Sequence, residues 1–169
     1  MNISNVAPTA TFTAPAGSRA GFAFTLSLTS PSDPSSADTA AGFEYAFDCG
    51  NGYGAFGTST TATCTPTDTG TLSVGGKIRD KDLDVSEYPA MVAVTVTFGS
   101  LCDLVHEYTS DAKTQDKLCI YLELAAGAQK EAAKQAQLRK FRIEVDKALA
   151  DGHLSADEAE TLKRLSTRL

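Results

Sequence analysis

FEYAFDCGNGYG, residues 43–54, is the stretch that decides the fold. Its first half alternates, with Phe43, Tyr45 and Phe47 on one side and Glu44 and Ala46 on the other. A period of two marks a strand with one face in a core. Its second half, Asp48-Cys49-Gly50-Asn51-Gly52-Tyr53-Gly54, is a run of turn formers that ends the strand at a corner. Outward from here the alternation returns at 9–13 (TATFT), 22–28 (FAFTLSL), 58–64, 70–78 and 90–97. The stretch 31–42 (PSDPSSADTAAG) is rich in breakers and reads as a loop, as does the acidic stretch Arg79–Tyr88. About seven short strands within the first 98 residues predict a β-sandwich.

After residue 98 the period changes. Leu101, Leu104, Val105 and Tyr108 recur at helical spacing, as do Leu118, Tyr121, Leu122 and Ala125. Two further stripes follow, Leu138, Phe141, Val145 and Leu149, then Ala159, Leu162, Leu165 and Leu169. Gly152 suits the residue just past a helix end, and Ser155 with Glu158 forms a capping box for the next helix. Short loops predict antiparallel neighbours. Charge changes at the same place: residues 1–98 carry four basic and nine acidic residues, residues 99–169 eleven and twelve. The expected organisation is therefore two domains, all-β then all-α: a sandwich over 1–98 and a three- or four-helix antiparallel bundle over 99–169.

Three motifs in the first half resemble one known family. Asn5-Val6-Ala7-Pro8-Thr9, Tyr45-Ala46-Phe47-Asp48-Cys49-Gly50-Asn51-Gly52 and Val74-Gly75-Gly76-Lys77-Ile78-Arg79-Asp80-Lys81-Asp82 are similar to the PKD (polycystic kidney disease) domain. The family motif has Trp where this chain has Tyr45, Asp where it has Asn51, and Gly-Gly where it has Leu83-Asp84. The resemblance covers about residues 5–96 and implies an immunoglobulin-like sandwich. The apolar spacing from Leu138 to Leu162 resembles the small helical FIMAH or FIVAR modules found beside catalytic or adhesive domains of bacterial surface and secreted proteins.

The net charge of −6 argues against nucleic acid or an anionic membrane as partner, because both require a basic face. No apolar run approaches 18 residues, so no membrane insertion is expected. Met1 opens no recognisable secretion leader, and any export signal is expected to lie outside these residues. The cysteines fall in pairs, Cys49 and Cys64, then Cys102 and Cys119. Three pairings are open, and loop-local bonds are the simplest. Free buried thiols are the alternative, and oxidation would place the chain outside the cell or on its surface.

Among candidate sites, the acidic loop is the sharpest. In an immunoglobulin-like sandwich the loop after the second strand and the loop before the last share one pole. Asp33 and Asp38 would then meet Asp80, Asp82 and Asp84, with Asn5 nearby. Oxygens from several loops suit Ca2+, and the alternative is a solvated acidic loop. Tyr53 and Phe56, in the glycine-rich corner, are candidate ligand contacts. Residues 147–158 mimic half an EF-hand loop, but Lys147 and Leu149 stand where ligands are needed, so a helix–turn–helix corner is expected. His106 and His153, the only histidines, are expected on exposed helical surface, and neither sits in a nucleophile–base arrangement. The functional expectation is a non-catalytic structural or adhesive module of an extracellular or cell-surface bacterial protein. The alternatives are a carbohydrate- or matrix-binding accessory module of a secreted hydrolase, and a self-assembling subunit of a surface layer, fibre or virion. The expected partners are accordingly a surface protein or polysaccharide, or copies of the chain itself.

Overall fold

The computed structural model describes residues 5–169. Its strands are β1 (Thr9–Thr13), β2 (Gly17–Arg19), β3 (Phe24–Ser32), β4 (Glu44–Asp48), β5 (Thr61–Cys64), β6 (Gly70–Arg79) and β7 (Val85–Thr95). Its helices are α1 (Ser36–Ala41), α2 (Phe98–Tyr108), α3 (Ala112–Ala126), α4 (Glu131–Ala150) and α5 (Ala156–Ser166). Two compact units result: one comprises residues 1–18, 23–66 and 70–94, the other residues 19–22, 67–69 and 95–169.

The strands form a three-stranded sheet, β1-β3-β5, and a four-stranded sheet, β2-β7-β6-β4. The two sheets share a core. Leu28 of the first is buried with Tyr45 and Ile78 of the second, and Phe12, Phe43, Phe47 and Tyr88 pack around them. Aromatic and aliphatic side chains alternate inward here, as the period of two requires. Gly76 lets the sheets approach: a Cβ there would meet the Phe12 ring at 2.8 Å and Leu28 at 3.1 Å. One polar link crosses between sheets, where the Ala10 N–H donates to the Tyr88 hydroxyl at 2.9 Å. The first half is thus a β-sandwich.

Several expected boundaries are corrected. The breaker-rich stretch 31–42 contains helix α1, because Ser35 caps it by accepting the Asp38 N–H at 3.3 Å. Strand β2 is only three residues long, too short for a period of two to register. The acidic loop shrinks to residues 80–84, because Val85 already pairs with Arg79 and the ladder continues through Gly75 opposite Pro89. The chain has five helices in all, because α1, which the sequence reading lacks, lies among the strands in addition to α2–α5.

In the second unit, α2 touches α3 and α5, α3 touches α4, and α4 touches α5. Leu101, Leu104, Leu118, Leu122, Leu138, Phe141, Leu162 and Leu165 are buried among them. Thr97 and Ser100 exchange bonds at the start of α2, as Ser155 and Glu158 do at the start of α5. Helix α4 ends at Gly152, with φ of 77°, where the His153 N–H reaches Ala148 O at 2.8 Å and the Gly152 N–H reaches Leu149 O at 3.1 Å. This paired closure is the one glycine favours past a helix end. It accounts for residues 147–158 as a helix–turn–helix corner.

Phe141 is the largest wholly buried side chain of the second unit. Phe141→Ala is expected to destabilise that unit by about 3–5 kcal/mol, read as a lower urea midpoint of the helical circular-dichroism signal. A loss below about 1 kcal/mol would place Phe141 outside the core.

Candidate functional site

The acidic pole is assembled from three elements. Asp33 follows β3, Asp38 lies in α1, and Asp80 follows β6. Their carboxylate oxygens lie within 4.8 Å of one another. Asp38 and Asp80 are only 1% and 2% exposed. Buried carboxylates must be matched by donors or counter-charges, and here each partner is visible. Asp80 Oδ2 accepts from Asn5 Nδ2 at 2.8 Å. Asp80 Oδ1 accepts the Asp82 N–H at 2.8 Å and the Asp84 N–H at 3.1 Å, which closes the 80–84 turn. Asp33 Oδ1 accepts the Ser35 N–H at 2.7 Å. The Lys81 ammonium lies 2.6 Å from Asp38 Oδ1 and also pairs with Asp82.

Electrostatics follow from that geometry. The Lys81 ammonium, then the Ser35 hydroxyl, hold the Asp38 carboxyl below its ordinary value, against the opposing effect of burial. Asp38, then Asp82, raise the Lys81 pKa above the ordinary lysine value. Of the five candidate calcium residues, the structure brings Asp33, Asp38 and Asp80 together. Asp82 joins them through its backbone N–H, which Asp80 accepts, and through Lys81, and the exposed Asp84 enters through its backbone N–H and C=O.

As arranged, this donor set leaves few carboxylate oxygens free for a calcium ion. Calcium takes six to eight oxygens. Both Asp80 oxygens are engaged by donors from within the chain, and Asp38 Oδ1 faces an ammonium. Among the described residues, Asp33 Oδ2 is buried without a hydrogen-bond partner, and Asp38 Oδ1 has the Lys81 ammonium beside it but accepts no hydrogen bond. A tethered cation, Lys81, stands where the charge of a metal would be needed. Lys81 was the residue that sequence reasoning missed. Its signal is a single basic residue inside the run Asp80-Lys81-Asp82-Leu83-Asp84.

The aromatic corner also differs from expectation. Tyr53 and Phe56 are half-buried, because the corner folds back over the outer face of the four-stranded sheet. Asp48 holds the corner by accepting the Gly50 N–H at 2.7 Å and the Gly52 N–H at 2.9 Å. Tyr53 lies over Gly75, where a Cβ would sit 2.1 Å from its hydroxyl oxygen. Lys77 and Arg79 stand on the same face of β6 and cover the rings, with Lys77 Nζ 4.1 Å from the Tyr53 centroid and Arg79 Cζ 4.2 Å from that of Phe56. Each cation is itself paired, Lys77 with Glu87 at 3.2 Å and Arg79 with Glu44 at 2.6 Å. Burial, then a hydrogen bond with Glu87, pushes the Tyr53 hydroxyl up to about 12.

The cysteines pair as the loop-local reading expects, Cys49 with Cys64 and Cys102 with Cys119. The first bond joins the corner to the end of β5. The second joins α2 to α3. His106 is exposed and His153 half-buried.

No protein-family model and no curated protein matches the chain. Several solved structures are similar to part of it. A structure of carbohydrate-binding modules from the β-sandwich superfamily is 25% identical with a TM-score of 0.46, over 55% of this chain and 36% of its own length. The PKD domain of an M14-like peptidase from Thermoplasmatales archaeon SCGC AB-540-F20 is 18% identical with a TM-score of 0.43, over 55% of this chain and 100% of its own. The PKD1 domain of Vibrio anguillarum Epp is 20% identical with a TM-score of 0.40, over 55% and 99%. The sandwich described above rests on its own sheets and core.

The pole generates a pH prediction. A lowered Asp38 pKa contributes stability that is present above the ordinary carboxylate range and lost as pH falls through the folded value. A raised Lys81 pKa contributes stability that is present below the ordinary lysine range and lost as pH rises through the folded value. The pair is therefore fully effective between about pH 4 and about pH 10. Lys81→Gln removes the main cause that lowers the Asp38 pKa, so the acid limb of thermal unfolding should move to higher pH. An unchanged acid limb would show that the pair does not hold the pole.

Tyr53 should also be among the last tyrosines to ionise in an ultraviolet titration. Gly75→Ala, which displaces its ring, should bring it back toward about 10. A Tyr53 that ionises normally in the parent chain would contradict its packing.

Proposed function

We propose that this chain is a non-catalytic structural and adhesive module of an extracellular or cell-surface bacterial protein. It serves as a spacer whose four-stranded sheet offers its outer face to a partner. One observation carries this reading: most of the carboxylates and rings of the two candidate sites are already engaged inside the chain. Asp38 is held by Lys81, Asp80 by Asn5 and its own turn, and Tyr53 and Phe56 by Lys77 and Arg79. All four cysteines are in disulfides, which supports an oxidising, extracellular setting. Among the described residues, no helix is long and apolar enough to cross a membrane. The acidic pole, in this reading, closes on Lys81 and does not require calcium.

A second reading, a carbohydrate- or matrix-binding accessory module, is favoured by the grouping of Tyr53, Phe56, Lys77 and Arg79 on one face. Rings and long cationic stems side by side offer stacking and donors together. In both readings the partner is a surface polysaccharide or protein.

The test is retention of the purified, oxidised chain on insoluble polysaccharides, collagen and bacterial cell walls, with calcium and with chelator. Retention on one material, insensitive to chelator and weakened about tenfold by Tyr53→Ala, is the expected result. The variant's melting temperature is measured alongside, to separate lost contact from lost fold. Release of soluble product from any material would overturn the non-catalytic reading. Retention on none, together with self-association in sedimentation, would make the chain an assembly subunit.

A further inference from the structure

Cys102 and His106 are four residues apart in α2, so they share one face of the helix. Cys119 comes to that face from α3. Its Sγ lies 3.7 Å from His106 Nε2, and one ligand atom from each of the three residues lies within 4.8 Å of the others. His106 is exposed, Cys102 half-buried and Cys119 buried, so the trio is open to solvent on one side. The other disulfide has no such neighbour: the chain's second histidine, His153, lies 3.4 Å from Asp111.

We propose that reduction of Cys102–Cys119 uncovers a binding site for a soft divalent transition-metal cation, zinc by its chemistry, held by Cys102, Cys119 and His106. Two molecules of a thiol reductant, which end as their disulfide, supply two electrons and two protons; a phosphine supplies the two electrons and water the two protons. The S–S bond breaks and two thiols form. A phosphine ends as its oxide, taking oxygen from water. Metal binding then releases the two thiol protons, and the imidazole gives the lone pair of Nε2.

The geometry is close to what zinc needs. With Zn–S near 2.3 Å and Zn–N near 2.0 Å at tetrahedral angles, a sulfur and a nitrogen ligand lie about 3.5 Å apart and two sulfurs about 3.8 Å apart. The Cys119–His106 spacing of 3.7 Å is close to the first of these, and the two bonded sulfurs must part. Three protein ligands leave the fourth position to water, on the exposed side. The link between α2 and α3 is kept in both states, by a covalent bond when oxidised and by the metal when reduced.

The experiment titrates Co2+ into the full chain reduced with a phosphine, and follows thiolate-to-cobalt charge transfer and the tetrahedral ligand-field bands. One Co2+ per chain, displaced by Zn2+ and absent from the oxidised chain, is the expected result. His106→Gln, at an exposed position, should weaken binding at least tenfold while the helical signal of the oxidised variant stays unchanged. The double change Cys49→Ser and Cys64→Ser should leave the bands in place. The proposal is overturned if the bands do not form, if they survive His106→Gln undiminished, or if they depend on Cys49 and Cys64 instead.

Discussion

A lysine ammonium held 2.6 Å from a carboxylate that is 1% exposed is the interaction on which this pole of the sandwich depends. Three carboxylates converge there, from the end of one sheet, a short helix and the loop between β6 and β7. Such a cluster repels itself unless positive charge or oriented N–H groups are supplied. The chain supplies both, from Lys81, from Asn5 and from the backbone of residues 82 and 84. The loop, helix α1 and Asn5 are thereby fastened to one another by bonds within the chain.

The same economy governs the opposite requirement, covering aromatic surface. Tyr53 and Phe56 leave the glycine-rich corner and lie back on the sheet, where Gly75 removes the obstructing Cβ and Lys77 and Arg79 cover the rings. Glu87 and Glu44 then balance those cations. An outer sheet face that would otherwise be bare peptide and ring becomes a patterned surface of stems, rings and paired charges. Surface ion pairs of this kind add little stability. They fix where the side chains stand.

Much of this was legible in the sequence. The alternation of Phe43, Tyr45 and Phe47 correctly placed them toward the core, and the stripes from Leu101 to Leu165 correctly named the helical core. Ser155, Glu158 and Gly152 marked a helix boundary because capping is local chemistry. What was not legible depended on partners distant in the chain. Helix α1 hides among prolines and serines because it is held by Lys81 and the pole rather than by an apolar stripe. The convergence of Asp33, Asp38 and Asp80 is expected, but an acidic loop conceals that its one lysine reaches back to Asp38. Tyr53 and Phe56 were expected on the surface because nothing local shows that β6 would offer them Gly75, Lys77 and Arg79. His106 reads as helix surface in the sequence, because its neighbour Cys119 lies on another helix.

The most direct test of the central claim, that the acidic pole is closed by an internal cation, is a calorimetric titration of Ca2+ into the oxidised chain. The account predicts no saturable heat and no calcium-dependent rise in melting temperature at millimolar Ca2+. A one-to-one isotherm that is lost in Asp33→Ala would contradict it, and would show that a metal displaces Lys81 from the carboxylates.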